Sequence, residues 1–327
     1  MSGVLRRRFL IASSVLAAFG ARAQAPGRIP RVGMLSNASA STGGHLMQAF
    51  ARGLSALGYI DGKNVLLEVR YAEGQLDRLP ALVQDLADRK VDVLFAPSAL
   101  ASGAAKKAGF AAPIVFAFTP DPLADGFVAS LARPGGNMTG LTSQSTELAA
   151  KRVELLREAF PKTSRLAALY ALPFPGVSLE LQETERAARV YGAELLRIEA
   201  ARPESFDAAF AEMANRRADA LVVIENPMFF TNRKEIVRHA EQQGLPAIYK
   251  VREYAASGGL MSYGSDYADL ARRAAGYVDR ILKGAKPGEL PVEQPVKFEL
   301  IVNLTTAKTM GLTIPRGVLL RANDVIQ

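Results

Sequence analysis

A few side chains able to do chemistry stand at the ends of apolar runs in this 327-residue sequence. Two are acids: Asp121, just past the run PIVFAFT, and Glu225, which closes DALVVIE and is followed by Asn226. Ser36 closes RVGMLS with Asn37 next, Ser98 follows VDVLFAP, and Thr119 closes PIVFAFT. Tyr170, Phe174 and Tyr263 add planar faces that either stack a ligand or pack in a core, as does Phe229. Asp121 and Glu225 have the right type for an acid–base pair across a cleft. Their separation in sequence fixes no distance, however, and strand-end carboxylates more commonly cap helices or meet a ligand's positive group. No G-x-S-x-G elbow, no His-Glu-x-x-His and no Cys/His pair occurs. The chain has no cysteine and only His45 and His239, so thiol chemistry is excluded and neither a metal nor a cofactor is expected. Hydroxyls, amides and acids without a nucleophile describe a binder, not an enzyme.

The stretch SLARPGGNMTGLTS (130–143) concentrates glycine, proline and asparagine. A phosphate cradle needs its glycines between a strand and a helix N-terminus. Here they fall between an expected helix over 123–132 and a strand, without either glycine-rich phosphate motif. Asn137-Met138-Thr139 fits a glycosylation pattern, as do Asn37-Ala38-Ser39 and Asn303-Leu304-Thr305, but three-residue patterns recur by chance. Arg133 near a helix end, Pro134 to stop it and glycines for positive φ read as a change of chain direction.

The elements that position these residues alternate. Strands are expected at 31–36, 64–72, 91–97 and 113–119, with helices at 45–58, 76–90 and, behind an N-cap at Ser98, 99–109. The same order restarts with a helix over 148–160 and strands at 165–171, 193–200, 219–225 and 246–250, separated by helices at 178–191, 204–216 and 229–243. A helix over 267–282, a linker to residue 295, a strand at 296–303 and a short helix near 306–310 complete the chain. Repeated strand–helix units predict an α/β fold of two doubly wound, Rossmann-like lobes. Ligands bind such sheets at the carboxyl ends of the strands, which is where Ser36, Asn37, Ser98, Thr119, Asp121, Tyr170, Phe174, Glu225 and Asn226 lie, with Tyr263 on the return crossing.

The N-terminus reads LRRRFLIASSVLAAFGARAQA, a basic start, an apolar run and a small-residue cleavage site after Ala23, so residues 1–23 are a signal peptide. Arg6-Arg7-Arg8-Phe9-Leu10 fits a twin-arginine export signal, with the general secretory route as the alternative. Cleavage removes four arginines and no acid, lowering the formal charge from +8 to +4, and no basic stripe with aromatics points to nucleic acid. Without cysteine the chain is not a lipoprotein.

Three long phrases carry a resemblance: AFARGLSALGYIDGKNVLLEVRYAEGQLDRLPALVQDLADRKVDVLFA, DPLADGFVASLARPGGNMTG and RRAAGYVDRILKGAKPGELPVEQPVKFELIVNLTTAKTMGLTIP. From about Arg31 to the C-terminus the chain resembles the ABC-transporter substrate-binding proteins that include aromatic amino acid receptors. That resemblance implies a type I periplasmic binding protein: two lobes joined by crossover strands, a ligand closed between them, and no catalysis. The implied division is lobe 1 at 29–142, lobe 2 at 143–262, and a segment 263–327 that completes lobe 1 and crosses back. Residues 130–143 become the end of the first lobe and its first crossover, SYGSD (262–266) a second, and the proline-rich linker or the segment after it a third. Gly140 to Ser143 and Ser262 to Ser265 are then expected to flank the cleft. The implied partners are a small organic solute, an amino acid among the candidates, and an inner-membrane ABC permease, with the receptor a periplasmic monomer. An exported subunit reporting solute to a membrane receptor is the alternative. Ser98 and Thr119 suit a ligand carboxylate and Asp121 its ammonium, while the loop SNASASTGG lacks the aromatic or acidic residues expected around an aromatic amino acid.

Overall fold

The apolar runs of the first half form one parallel sheet. Its strands are β1 (Arg31–Ser36), β2 (Leu66–Tyr71), β3 (Val93–Phe95), β4 (Ile114–Thr119) and β5 (Met138–Thr142), in the order β2-β1-β3-β4-β5. Val32, Met34, Leu35, Leu94 and Phe116 are all but sealed, as in a parallel sheet covered by helices on both faces. The covering helices are α1 (Ala40–Ala56), α2 (Leu79–Asp88) and α3 (Ala99–Lys107). The computed structural model describes residues 28–327, so the signal-peptide expectation for 1–23 lies outside the described residues. Helix α1 starts five residues before the expected 45. Ser39 and Thr42 form a capping box, each side chain accepting from the other's backbone N–H at 3.1 and 3.2 Å, inside a polar run that reads as loop.

The second half repeats the plan. Strands β6 (Arg165–Tyr170), β7 (Glu194–Glu199), β8 (Ala220–Val223), β9 (Ala247–Tyr249) and β10 (Met261–Ser265) lie in the order β7-β6-β8-β9-β10, the same winding as the first sheet. Two further strands extend this sheet: β11 (Phe298–Asn303), antiparallel to β10, and β12 (Asp324–Ile326), parallel to β11. Helices α4 (Ala149–Ala159), α5 (Val177–Val190), α6 (Phe206–Asn215), α7 (Pro227–Thr231), α8 (Arg233–Gln242) and α9 (Arg252–Ala255) precede β10. After it come α10 (Tyr267–Leu282), α11 (Leu304–Thr309) and α12 (Arg316–Leu319).

Three passages link the sheets. One follows β5. At the second, β10 runs in the second sheet to Ser265, and Asp266 caps α10, which packs on the first lobe. There Leu270, Ala274 and Val278 meet Phe50 and Phe95, whose rings stack at 3.9 Å. At the third, Glu293 exchanges backbone hydrogen bonds with Gly140 and Thr142 before the chain returns as β11. The first two passages touch, Ser265 Oγ donating to the Ser143 carbonyl at 2.6 Å.

The expected helix over 123–132 is absent. The Asp121 carboxylate caps the amides of Leu123 and Ala124, Gly126 takes a positive φ of 64°, and one turn closes on the Pro122 carbonyl. Within 130–143 the Asn137 amide donates to the carbonyls of Phe110 and Ala112, a structural use of that side chain. Gly140 sits at φ 148° with its α-carbon against the neighbouring strand: a Cβ there would lie 2.0 Å from the Phe116 carbonyl oxygen. Gly140→Ala is therefore expected to lower stability by about 2–4 kcal/mol, read as a fall in urea midpoint; a change under about 0.5 kcal/mol would refute the close approach.

Candidate functional site

The carboxyl ends of both sheets face one cleft, of about 850 Å³ with its open mouth included. From the first lobe come Ser36 and Asn37 after β1, Ser98 and the first residues of α3 after β3, Phe118 at the end of β4, and Leu46 and Met47 of α1. The second lobe supplies Phe174 after β6, Glu225 and Asn226 after β8, Lys250 after β9, and Phe230 of α7; Tyr267 opens α10. The Phe118 and Tyr267 rings stack, centroids 4.5 Å apart and planes within 2°. Each lobe thus adds polar groups to a largely apolar lining.

On the first-lobe side Ser98 Oγ donates to Asn37 Oδ1 at 2.6 Å and accepts from the Ala101 amide at 3.2 Å. Ala99 and Leu100 line the cleft beside it, and first-turn amides of a helix have no intrahelical acceptor, so this corner suits an anion. On the second-lobe side Asn226 Oδ1 caps α7 by accepting from the Phe229 amide at 3.0 Å. Its Nδ2 is buried without a partner, as is Glu225 Oε2. Burial pushes the Glu225 carboxyl up to about 7, Glu253 and Glu180 adding to the rise and Lys250 and Arg152 opposing it. Lys250 is 6% exposed. Burial presses its amine downward, but Tyr267, Glu180 and Glu225 outweigh that and hold it above the ordinary lysine range. Behind it Arg152, fully buried, binds Glu180 at 2.5 Å and the Ser145 carbonyl at 2.8 Å, and Glu180 lies 4.0 Å from Lys250. Arg152 and Glu180 balance each other, leaving Lys250 to be balanced by Glu225 or by a ligand.

Residues 38–326 match the model of the ABC transporter substrate binding proteins. The chain belongs to that family. Such proteins bind small-molecule solutes and work with ABC permeases, and they are not enzymes. This substrate-binding protein is 24% identical over 265 residues to a tyrosine-binding protein of Clostridioides difficile, covering 81% of this chain and 76% of that one. A crystal structure of a conserved domain protein from Vibrio cholerae is 26% identical, with a TM-score of 0.84 over 91% of this chain and all of that one. An ABC domain from Streptococcus pneumoniae in complex with L-Trp is 23% identical, with a TM-score of 0.85 over the same shares. The two-lobed α/β architecture of the substrate-binding protein is that of type I periplasmic binding proteins.

Of the candidate residues, Ser36, Asn37, Ser98, Phe174, Glu225 and Asn226 meet in the cleft, while Thr119, Asp121, Tyr170 and Tyr263 do not line it. Side chains alternate along an extended strand, so Phe118 and Pro120 line the cleft and Thr119 between them is sealed inside. Asp121 is occupied in its turn. Tyr170 packs with Val177, Leu181 and Ile224. Tyr263 is mid-strand in β10, opposite Leu300, and packs against the second-lobe core. Phe229 is core, edge-on to Phe206. Lys250, Phe118 and Tyr267 were not singled out from the sequence. Lys250 closes the run PAIYK, so the strand-end rule that marks Glu225 marks it equally. Among the described residues no His/Asp/Glu group is placed to hold a metal, and no helix is long and apolar enough to cross a membrane.

Proposed function

We propose that this chain is the periplasmic receptor of an ABC importer and that it closes on an α-amino acid between its lobes, releasing it unchanged. The observation that carries the reading is the set of polar groups that each lobe adds to the largely apolar cleft. A carboxylate suits the α3 amides with Ser98 and Asn37, and an ammonium suits the unpartnered Glu225 oxygen. The tyrosine and tryptophan named for two relatives are α-amino acids with the same two charged ends. Export is supported by Arg6 to Arg8 ahead of an apolar run and is read as twin-arginine or general secretory; the absence of cysteine speaks against a lipid anchor. The receptor acts as a monomer, the cleft being complete within one chain.

Isothermal titration of the purified mature protein against the twenty amino acids tests this. At least one is expected to bind at micromolar Kd or tighter and to be recovered intact. Binding to none of them, or conversion of the bound compound, would refute it.

A further inference from the structure

The space between the lobes does not end at the cleft. Beyond Phe174 and Pro227, which line both, lies a second cavity of about 660 Å³, its open mouth included. Glu73, Gln75 and Leu76, from the segment between β2 and α2, form one side, and Met228, Thr231 and Asn232 the other. Each lobe supplies half of it.

Glu73 is the one ionisable side chain on this wall. Among the described residues it enters no salt bridge, and it lines the cavity while remaining exposed. Its backbone is left-handed, φ 56°, a conformation that is unfavourable for a non-glycine residue and persists where the surroundings impose it. The imposition is visible: the amides of Ala72 and Gly74 donate to the carbonyls of Ser36 and Asn37 at 2.8 and 2.9 Å, tying the turn to the inner cleft wall. Facing it, Asn232 Nδ2 donates to the Met228 carbonyl and Thr231 Oγ1 to that of Pro227, which leaves Asn232 Oδ1 and the hydroxyl oxygen as acceptors. The outer cavity therefore offers a carboxylate and acceptors, reached past the face of Phe174. An aliphatic stem packs along apolar surface while its charged head stays at a wet, acidic mouth, and a guanidinium gains from an aromatic face beside it.

We propose that the outer cavity is a specificity subsite for the cationic end of a long amino acid side chain, with Glu73 as its charge partner. The proposal rests on the amino-acid reading above and adds the side-chain class. The probes are L-arginine and L-citrulline, nearly equal in shape and different in charge, titrated against wild-type protein and Glu73→Gln. Glu73 is exposed, so the expected preference is modest: arginine about three- to tenfold tighter, falling to within about twofold in Glu73→Gln while the citrulline Kd stays put. The preference is also expected to shrink as salt rises from about 0.05 to 0.5 M. Equal affinity of the two probes for wild-type protein, or an equal loss of both in Glu73→Gln, would overturn the subsite. Binding of other amino acids but of neither probe would overturn it too and leave the amino-acid reading standing. Binding of no amino acid at all would remove that reading itself.

Discussion

Arg152→Met is expected to lower the unfolding free energy by about 3–5 kcal/mol, the largest single-site effect outside backbone clashes. Arg152 has no exposed surface and holds Glu180, which is 2% exposed, through a 2.5 Å contact. Removing the guanidinium leaves a carboxylate out of water with only Lys250 at 4.0 Å, and it orphans the Ser145 carbonyl at the first passage between lobes. Breaking a buried pair costs far more than the pair's net contribution, because the remaining charge stays desolvated. The double variant Arg152→Met with Glu180→Gln is therefore expected to recover more than half of the loss. Urea unfolding at pH 7 reads both, as a shift in midpoint with unchanged slope. A loss below about 1 kcal/mol in the single variant would show that Glu180 finds water or another cation.

Glu225→Gln is expected to weaken binding of the amino acid by about 2–4 kcal/mol, roughly 30- to 1000-fold. It removes a buried, unpartnered carboxylate oxygen on the second-lobe wall of the cleft and leaves the ligand's ammonium desolvated. The same residue sets a pH dependence. In the ligand-free protein the carboxyl titrates near 7, and the cation binds its ionised form. Below pH 7 a proton competes, so affinity falls by up to about tenfold per pH unit, and above 7 it levels off. Besides burial, the groups that act on the carboxyl are Lys250, Glu253, Glu180 and Arg152. Without ligand the sign for stability is separate: a raised carboxyl contributes fully below the ordinary carboxylate range, and that contribution is lost as pH climbs through 7. Glu225→Gln should flatten both profiles. A wild-type affinity that does not change between pH 5.5 and 8 would contradict the role given to Glu225.

The sequence carried the fold because both halves repeat one grammar. Buried apolar runs followed by amphipathic helices can close in few ways, and both sheets share the same winding order. It carried part of the site because position alone selects strand ends, which is how Ser36, Ser98, Glu225 and Asn226 were found. Other residues were not legible, for identifiable reasons. Whether Phe118 or Thr119 faces the cleft is a question of strand parity, and the register of β4 against β5 shifts between Phe116 and Thr119. Leu46 and Met47 sit in the same apolar stripe of α1 as core residues such as Phe50, so periodicity cannot separate cleft from core. Tyr267 joins the cleft only because α10 returns to the first lobe, a long-range event with no local signal. Asp121 and Glu225 look alike in sequence; a turn with free amides nearby claimed the first and not the second.

A crystal structure with the tightest-binding amino acid tests the central claim most directly. The ligand is expected between the lobes, its ammonium within hydrogen-bond distance of Glu225 and its carboxylate on the amides of α3 beside Ser98. A ligand bound outside the cleft, or lying in it with its carboxylate against Glu225, would contradict the account.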